Sequence, residues 1–266
     1  MRLLRSASRT QLVGLAMVLV VLGVAALAAV WTPYDPLQAA PESRLQGPSA
    51  AHWMGTDQLG RDILSRVMDG ARLTLLVALC AVALSALIGV PLGMWAGMRR
   101  GPIEAAMMRV SDLLMAFPAL LLAIVFTAVF GASALIVVMA IGIAGVPGFA
   151  RMARVGTLQV MSQDYILAAR VSKVPPLQVA RTHVLPNIVP MTIVQVSVSL
   201  AMAILAEAGL SFLGLGTPAP YASWGRMLQA SQPYLATDAH LALWPGLAIA
   251  CTVMGFTLLG GDNDQR

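Results

Sequence analysis

The sequence predicts an all-α polytopic membrane protein with about six transmembrane helices, and three observations carry that prediction. Apolar residues make up 58% of the 266 and charged residues only 11%, against roughly 25% charge in an ordinary soluble domain. Too few charges remain to cover a water-facing surface. The apolar residues are gathered into runs of about 20, the length that crosses a bilayer as a helix. The seventeen basic residues, all Arg except Lys173, flank those runs and form no single patch, which argues against nucleic acid as a partner. Helices are required because a backbone in lipid must satisfy its own hydrogen bonds, and the runs are too long for barrel strands.

The first run, Gln11 to Val30, follows Arg2, Arg5 and Arg9. A signal peptide begins the same way, and Ala25 to Ala29 resembles its small-residue cleavage site. The run exceeds the roughly 7–15 apolar residues of such a peptide, so an uncleaved anchor is expected. Trp31, Pro33, Tyr34 and Pro36 close it at interfacial depth. A polar connection rich in Pro, Gly and Ser follows over 32–70. The second run is Leu73 to Met98, stopped by Arg99-Arg100-Gly101-Pro102. Gly89, Gly93 and Gly97 recur in it every four residues, a close-packing stripe for a partner subunit or for another helix of the same chain.

Ser111 to Phe130 and Ala134 to Phe149 form the third and fourth runs, an antiparallel hairpin about Gly131-Ala132-Ser133. A polar stretch, Arg151 to Asn187, precedes the fifth run, Val189 to Leu210, and the sixth, Leu241 to Leu259. With the N-terminus inside, Arg2, Arg5, Arg9, Arg99, Arg100, Arg109, Arg151, Arg154, Arg170, Lys173, Arg181 and Arg266 fall inside, and only Arg44, Arg61, Arg66, Arg72 and Arg226 outside. That bias places both termini in the cytoplasm. The division expected is 1–72, an N-terminal anchor with an external connection, and 73–266, a transmembrane core carrying the loop 151–187. Cys80 and Cys251 read as small buried hydrophobes, and the sixteen Met as packing filler. His52, His183 and His240 show no metal-site spacing. No convincing internal repeat supports an inverted-repeat carrier.

The polar loop carries the most specific pattern. Gln163 to Ser172 can form a short helix capped by Ser162 or Asp164. Ala168 and Ala169 present little bulk, and Pro175-Pro176 must end or bend the helix. Such an element suits docking into a partner's groove; a solvated basic loop would read similarly. Outside, Asp57, Arg61 and Asp62 either contact another protein or form a structural network of ion pairs and turns. Polar groups in spans are costly and often functional. Asp112 lies near the inner end of span three and Glu207 near the outer end of span five. Glu207 lines a path, pairs with Arg226, or is solvated at the interface. Ser211 to Trp224 reads as an irregular outer turn with Trp224 at the interface. The chain has no G-x-x-x-x-G-K-S/T phosphate loop, metalloprotease motif or nucleophile elbow.

Three separated motifs resemble a known family. Ala168-Ala169, thirteen residues, then His183-Val184-Leu185-Pro186-Asn187 resembles the cytoplasmic coupling loop of bacterial ABC importer permeases. Gly55-Thr56-Asp57-Gln58-Leu59-Gly60-Arg61-Asp62 resembles the segment before the second span in the dipeptide/oligopeptide/nickel subgroup. Glu207 to Gly216 with Ser223-Trp224-Gly225 resembles the same subgroup after span five. Asp112 with Phe117-Pro118, and Trp244-Pro245-Gly246, are similar too. The resemblance covers about residues 10–259 and implies the C-type subunit, with the ABC importer permease (MetI-like) fold in the inner membrane.

It further implies a second permease subunit, two ATPases that use ATP and Mg, an extracytoplasmic solute-binding protein, and membrane lipid around the spans. This chain would bind no cofactor and catalyse no reaction. The solutes implied are short peptides, with nickel or its chelates second. The coupling residues implied are Asp164, Tyr165, Ala168, Ala169, Arg170, Lys173, Pro176, Leu177, His183, Leu185, Pro186 and Asn187; Asp57, Arg61, Asp62, Asp112, Glu207, Ser211 and Trp224 would line the path or meet external partners. Two departures stand out: Leu167 occupies the family's Glu position before Ala-Ala, and Lys173 its Gly. Gly supplies a left-handed turn there, which a Lys would either adopt under strain or replace by a different bend. The tail, Gly260 to Arg266, also departs from the family's longer ending. A secondary carrier or channel working without ATPases is the alternative; a membrane-embedded enzyme would need clustered polar groups in the spans.

Overall fold

The computed structural model describes residues 8–261. Arg2, Arg5 and residues 262–266 lie outside the described residues. The described chain is helical, apart from turns and a single isolated bridge between Thr56 and Asp62.

Helix α1 (Arg9–Ala28) starts on a capping box: the Ser8 hydroxyl accepts from Gln11 N, and the Gln11 side chain accepts from Ser8 N. Helix α2 (Ile63–Arg99) has 37 residues and begins well before the apolar run, inside the expected polar connection and across the 72/73 division. Asp62 starts it, accepting from Ser65 N at 2.8 Å and Ser65 Oγ at 2.7 Å. At about 1.5 Å per residue α2 is about 55 Å long, so its first turns stand beyond a bilayer core of about 30 Å. Replacing Asp62 by Ala is expected to lower stability by about 1–2 kcal/mol, and by Asn much less. Thermal unfolding in detergent measures both.

The third span is not a single helix. Helix α3 (Pro102–Ala116) and helix α4 (Ala119–Phe130) meet at a bend of 82°. The cause is Phe117-Pro118: Pro118 supplies no N–H, and the residue before a proline is driven out of the α region, as Phe117 is at ψ 127°. Helix α5 (Ala134–Met161) runs on past Phe149, because its last turns keep a helical pattern after the hydropathy falls.

Helix α7 (Pro176–Val179), a π turn (Ala180–Val184) and helix α8 (Leu185–Phe212) form one continuous rod. The expected loop 151–187 is thereby reduced to helix α6 (Asp164–Val171) and its flanking turns. Helix α9 (Trp224–Ser231) and helix α10 (His240–Gly261) complete the chain.

Glycine contacts fix how the main helices run against one another. On α2, a Cβ added to Gly89 would meet Phe149 and Val146 of α5; at Gly93 it would meet Ala150 and Ala153, and at Gly97 Thr157. Both helices advance together, so α2 and α5 are parallel, and their close approach is made by the glycine stripe packing within the chain. The Ser85 hydroxyl crosses the same seam to the Gly142 carbonyl at 2.7 Å. Because α2 and α5 are parallel and the turns around α3 and α4 are short, α3 and α4 must together return across the membrane. The bent pair then counts as one crossing, which gives six among the described residues. Gly14 of α1 packs on Gly255 and Leu258 of α10, and Gly156 of α5 on Ile188 of α8. His240 at the start of α10 lies against Gly55, just before α2, so the start of α1, the end of α10 and helix α6 share one face. Cys80 and Cys251 correct their reading: both are exposed on the outside of the bundle.

Candidate functional site

At the face shared by the ends of α2 and α5, the chain leaves Met161 and builds a small platform. Helix α6 has Gln163 at its cap position with no side-chain bond. Neither expected cap forms: the Ser162 hydroxyl donates back to the Gln159 carbonyl at 2.8 Å, and Asp164 lies within the first turn, where a carboxylate faces the positive end of the helix dipole. Ile166 is fully buried and Ala169 nearly so. Leu167, Ala168 and Val171 are exposed. Asp164, Leu167, Ala168 and Val171 follow the i, i+3, i+4, i+7 spacing of one helix face. Of the two alanines, only Ala168 is open to an approaching surface; Ala169 packs into the core, because Ile166 sets the helix phase.

Helix α6 ends before the prolines, on a left-handed turn. Lys173 has φ +54°. Its N–H donates to the Arg170 carbonyl, and that of Val174 to the Ala169 carbonyl, both at 3.0 Å; this is a Schellman closure. The lysine adopts the conformation that glycine favours, at a cost of about 1–2 kcal/mol. Replacing Lys173 by Gly is expected to slow amide hydrogen exchange across α6 by about fivefold or more, with the other helices unchanged.

Pro176 opens α7 as its first residue. The π turn after it has a local cause: Pro186 has no N–H for the Thr182 carbonyl. Instead Leu185 N reaches Ala180 O, and the Asn187 amide donates to the His183 carbonyl at 2.6 Å. The Tyr165 ring lies 5.8 Å from that of His183. Tyr165 and His183 thus tie α6 to the rod carrying α8, while Arg170, Leu177, Leu185, Pro186 and Asn187 stay exposed. A push on α6 has a short mechanical route into a spanning helix.

Two ion pairs at this end were not anticipated. Asp112 of α3 pairs with Arg151 of α5 at 2.7 Å, and Glu104 pairs with Arg154. Asp112 is exposed rather than sunk in the span.

At the opposite end, Asp57, Arg61 and Asp62 are taken up by their own loop. Asp57 accepts from the backbone N–H groups of Leu59 and Arg61 at 2.8 and 3.0 Å. Its other oxygen meets Arg61 Nε at 2.7 Å and Arg66 Nε at 3.4 Å. Asp62 caps α2 and lies 3.0 Å from His52 Nδ1. Glu207 is buried and accepts from Ser211 Oγ at 2.7 Å; Arg226 is not among its partners. Trp224 is buried, not interfacial: its indole N–H donates to the Val67 carbonyl at 2.9 Å, and its ring lies against Gly70. Trp224, whose backbone N–H also lies 3.5 Å from Thr74 Oγ1, therefore packs α9 onto α2, while the Ser211–Glu207 bond stays within α8.

Six crossings among the described residues, a packed connection at one end and a short helix held out at the other describe a polytopic membrane subunit. The chain belongs to the family of binding-protein-dependent transport system inner membrane components, whose model matches residues 89–261. It is 39% identical over 244 residues to a glutathione transport system permease protein of Pectobacterium atrosepticum, covering 91% of this chain and 81% of that one. A dipeptide transport system permease protein of Alkalihalophilus pseudofirmus is 37% identical, with 95% and 83% covered. A nickel transport system permease protein of Escherichia coli is 36% identical, with 91% and 89% covered. Among solved structures, an inward-facing form of the MetNI methionine ABC transporter superposes with TM-score 0.62 at 16% identity, covering 73% of this chain and 93% of that chain. At that identity the likeness establishes the fold alone. The protein is a transport permease subunit of the inner-membrane ABC importer class.

Proposed function

We propose that this subunit translocates short peptides, with nickel or its chelates as the second solute class, in an importer driven by two partner ATPases. The observation that carries the proposal is α6: an outward stripe of Leu167, Ala168 and Val171 on a helix tied through Tyr165 and His183 to the α8 rod. Its small Ala168 favours a close-fitting groove. The peptide, glutathione and nickel systems of the relatives support the solute classes.

ATP and Mg act in the partners, and this chain performs no catalysis of its own. The α6 face and both ends of the described chain lie in the cytoplasm, in keeping with the arginine bias. A second permease subunit completes the path, and an extracytoplasmic binding protein delivers solute opposite. Nucleotide-driven closure of the ATPases moves α6 and shifts the equilibrium between inward-open and outward-open states. Residues 73–266 form the working core.

Purification of the tagged chain from its native membrane tests this reading. Two ATPases and a second permease should accompany it, and uptake in proteoliposomes should require ATP and a loaded binding protein. Uptake driven by an ion gradient, with no ATPase retained, would overturn the proposal in favour of a secondary carrier.

A further inference from the structure

The face that carries α6 also holds a cleft of about 960 Å³. One wall is the last turns of α2, where Pro91, Met94, Trp95 and Met98 line it; the other includes Leu177 and Leu185. Arg99, Arg170 and Arg181 also line it and are all exposed. Among the described residues, none of these three has a carboxylate within ion-pair distance; the paired arginines are Arg61, Arg66, Arg72, Arg151 and Arg154.

Depth decides what fits. The stretch from Val90 to Met98 ends the apolar part of α2, and at about 1.5 Å per residue it reaches roughly 12 Å into the hydrocarbon. Arg99 marks where that region ends. The cleft is therefore apolar within the membrane and cationic at its boundary. Trp95, half exposed, stands at that junction. Water is a poor occupant of the apolar part, and a soluble anion has nothing to place there. A molecule with an acyl chain joined to an anionic headgroup matches both halves. The volume lies near the top of the range for small-molecule sites, and basic pockets between spanning helices suit anionic headgroups.

We infer that this cleft is a binding site for one anionic phospholipid, its phosphate held by Arg99, Arg170 and Arg181 and its chain lying along Met94 and Trp95. The bound lipid bridges the end of α2 to the α7 and π-turn segment, so it stiffens the platform from which α6 projects.

Trp95 supplies the test. The protein, with whatever subunits accompany it, is placed in phosphatidylcholine nanodiscs containing rising fractions of brominated phosphatidylglycerol or brominated phosphatidylcholine. Subtracting Trp95→Phe isolates this residue from the other four tryptophans. Half-quenching is expected at a mole fraction on the order of tenfold lower for the phosphatidylglycerol. The double variant Arg99→Gln/Arg181→Gln should bring the two curves together, while Arg44→Gln should leave the preference unchanged. Native mass spectrometry should show one phosphatidylglycerol retained by the parent and none by the double variant. Equal quenching by both lipids would mean general lipid contact, and no quenching of Trp95 by either would mean that protein covers the cleft; each overturns the inference. Neither readout involves ATP or solute, so the result is independent of the importer reading.

Discussion

Replacing Gly93 by Leu is expected to leave no folded protein to purify. A Cβ at this position would lie 2.1 Å from the Ala150 carbonyl oxygen and 2.8 Å from the Ala153 Cβ. The first obstacle is backbone, which cannot rotate away, so α2 and α5 must separate along their whole seam. Even Ala at this site should cost about 3 kcal/mol or more, the upper part of the overpacking range. The effect should grade along the stripe. Gly97 meets the Thr157 Cβ and Cγ2 at 2.8 Å and the Arg154 carbonyl at 3.1 Å, a less severe overlap than at Gly93, so Gly97→Ala should cost about 1–3 kcal/mol. Gly23 on α1 has nothing within 4 Å, and Gly23→Leu should fold normally. Detergent-extracted yield and thermal midpoints across these variants measure the gradation. Equal tolerance at Gly93 and Gly23 would show that α2 and α5 do not pack at this seam.

The stripe also marks how far the sequence could be read. Its spacing announced close packing, but its partner could lie in this chain or another; only the three-dimensional pairing of Gly93 with Ala150 decides. The spans were legible because hydropathy measures contact with lipid. Their ends were less so, because α2 before Leu73 and α5 after Phe149 leave the apolar region while remaining helical, and hydropathy carries no signal for a helix in water. The break at Phe117-Pro118 was visible as a dipeptide. Its 82° bend was not, since proline in a span can also give only a mild kink.

The candidate site divides in the same way. The turn at Lys173 was legible only in part: the resembled loop has glycine there, but a lysine could keep the left-handed turn under strain or force a different bend, and its φ of +54° shows that the turn is kept. The burial of Ala169 was hidden, because two adjacent alanines look alike until Ile166 sets the helix phase. Trp224 misled for a related reason: an aromatic near a span end suits the interfacial belt and a core pocket equally, and Gly70, 154 positions away in the chain, provides the pocket. The pairs Asp112–Arg151 and Glu104–Arg154 required knowing that α3 folds back beside α5.

Replacing Ala168 by Arg is expected to abolish ATP-driven uptake without unfolding the chain. The side chain points outward from α6, so the variant should keep its thermal midpoint within about 0.5 kcal/mol, as surface changes usually do. Docking is another matter. On the proposed coupling role, an unpaired guanidinium set into the contact beside Leu167 and Val171 leaves a charge without a partner, a penalty of about 3 kcal/mol or more, which is roughly a hundredfold or greater loss of association. Its neighbour supplies the contrast. Ala169 is buried, and Ala169→Arg should fail by misfolding, seen as lost yield before any transport is measured. Ile166→Ala falls between, costing about 2–4 kcal/mol through the cavity left beneath α6 and loosening the docking face while leaving its surface chemistry intact. The three variants separate a face that binds from a face that packs. Full uptake by Ala168→Arg would remove α6 from the coupling route, whereas loss of uptake with the ATPases absent from the purified complex would place the contact at the stripe formed by Leu167, Ala168 and Val171.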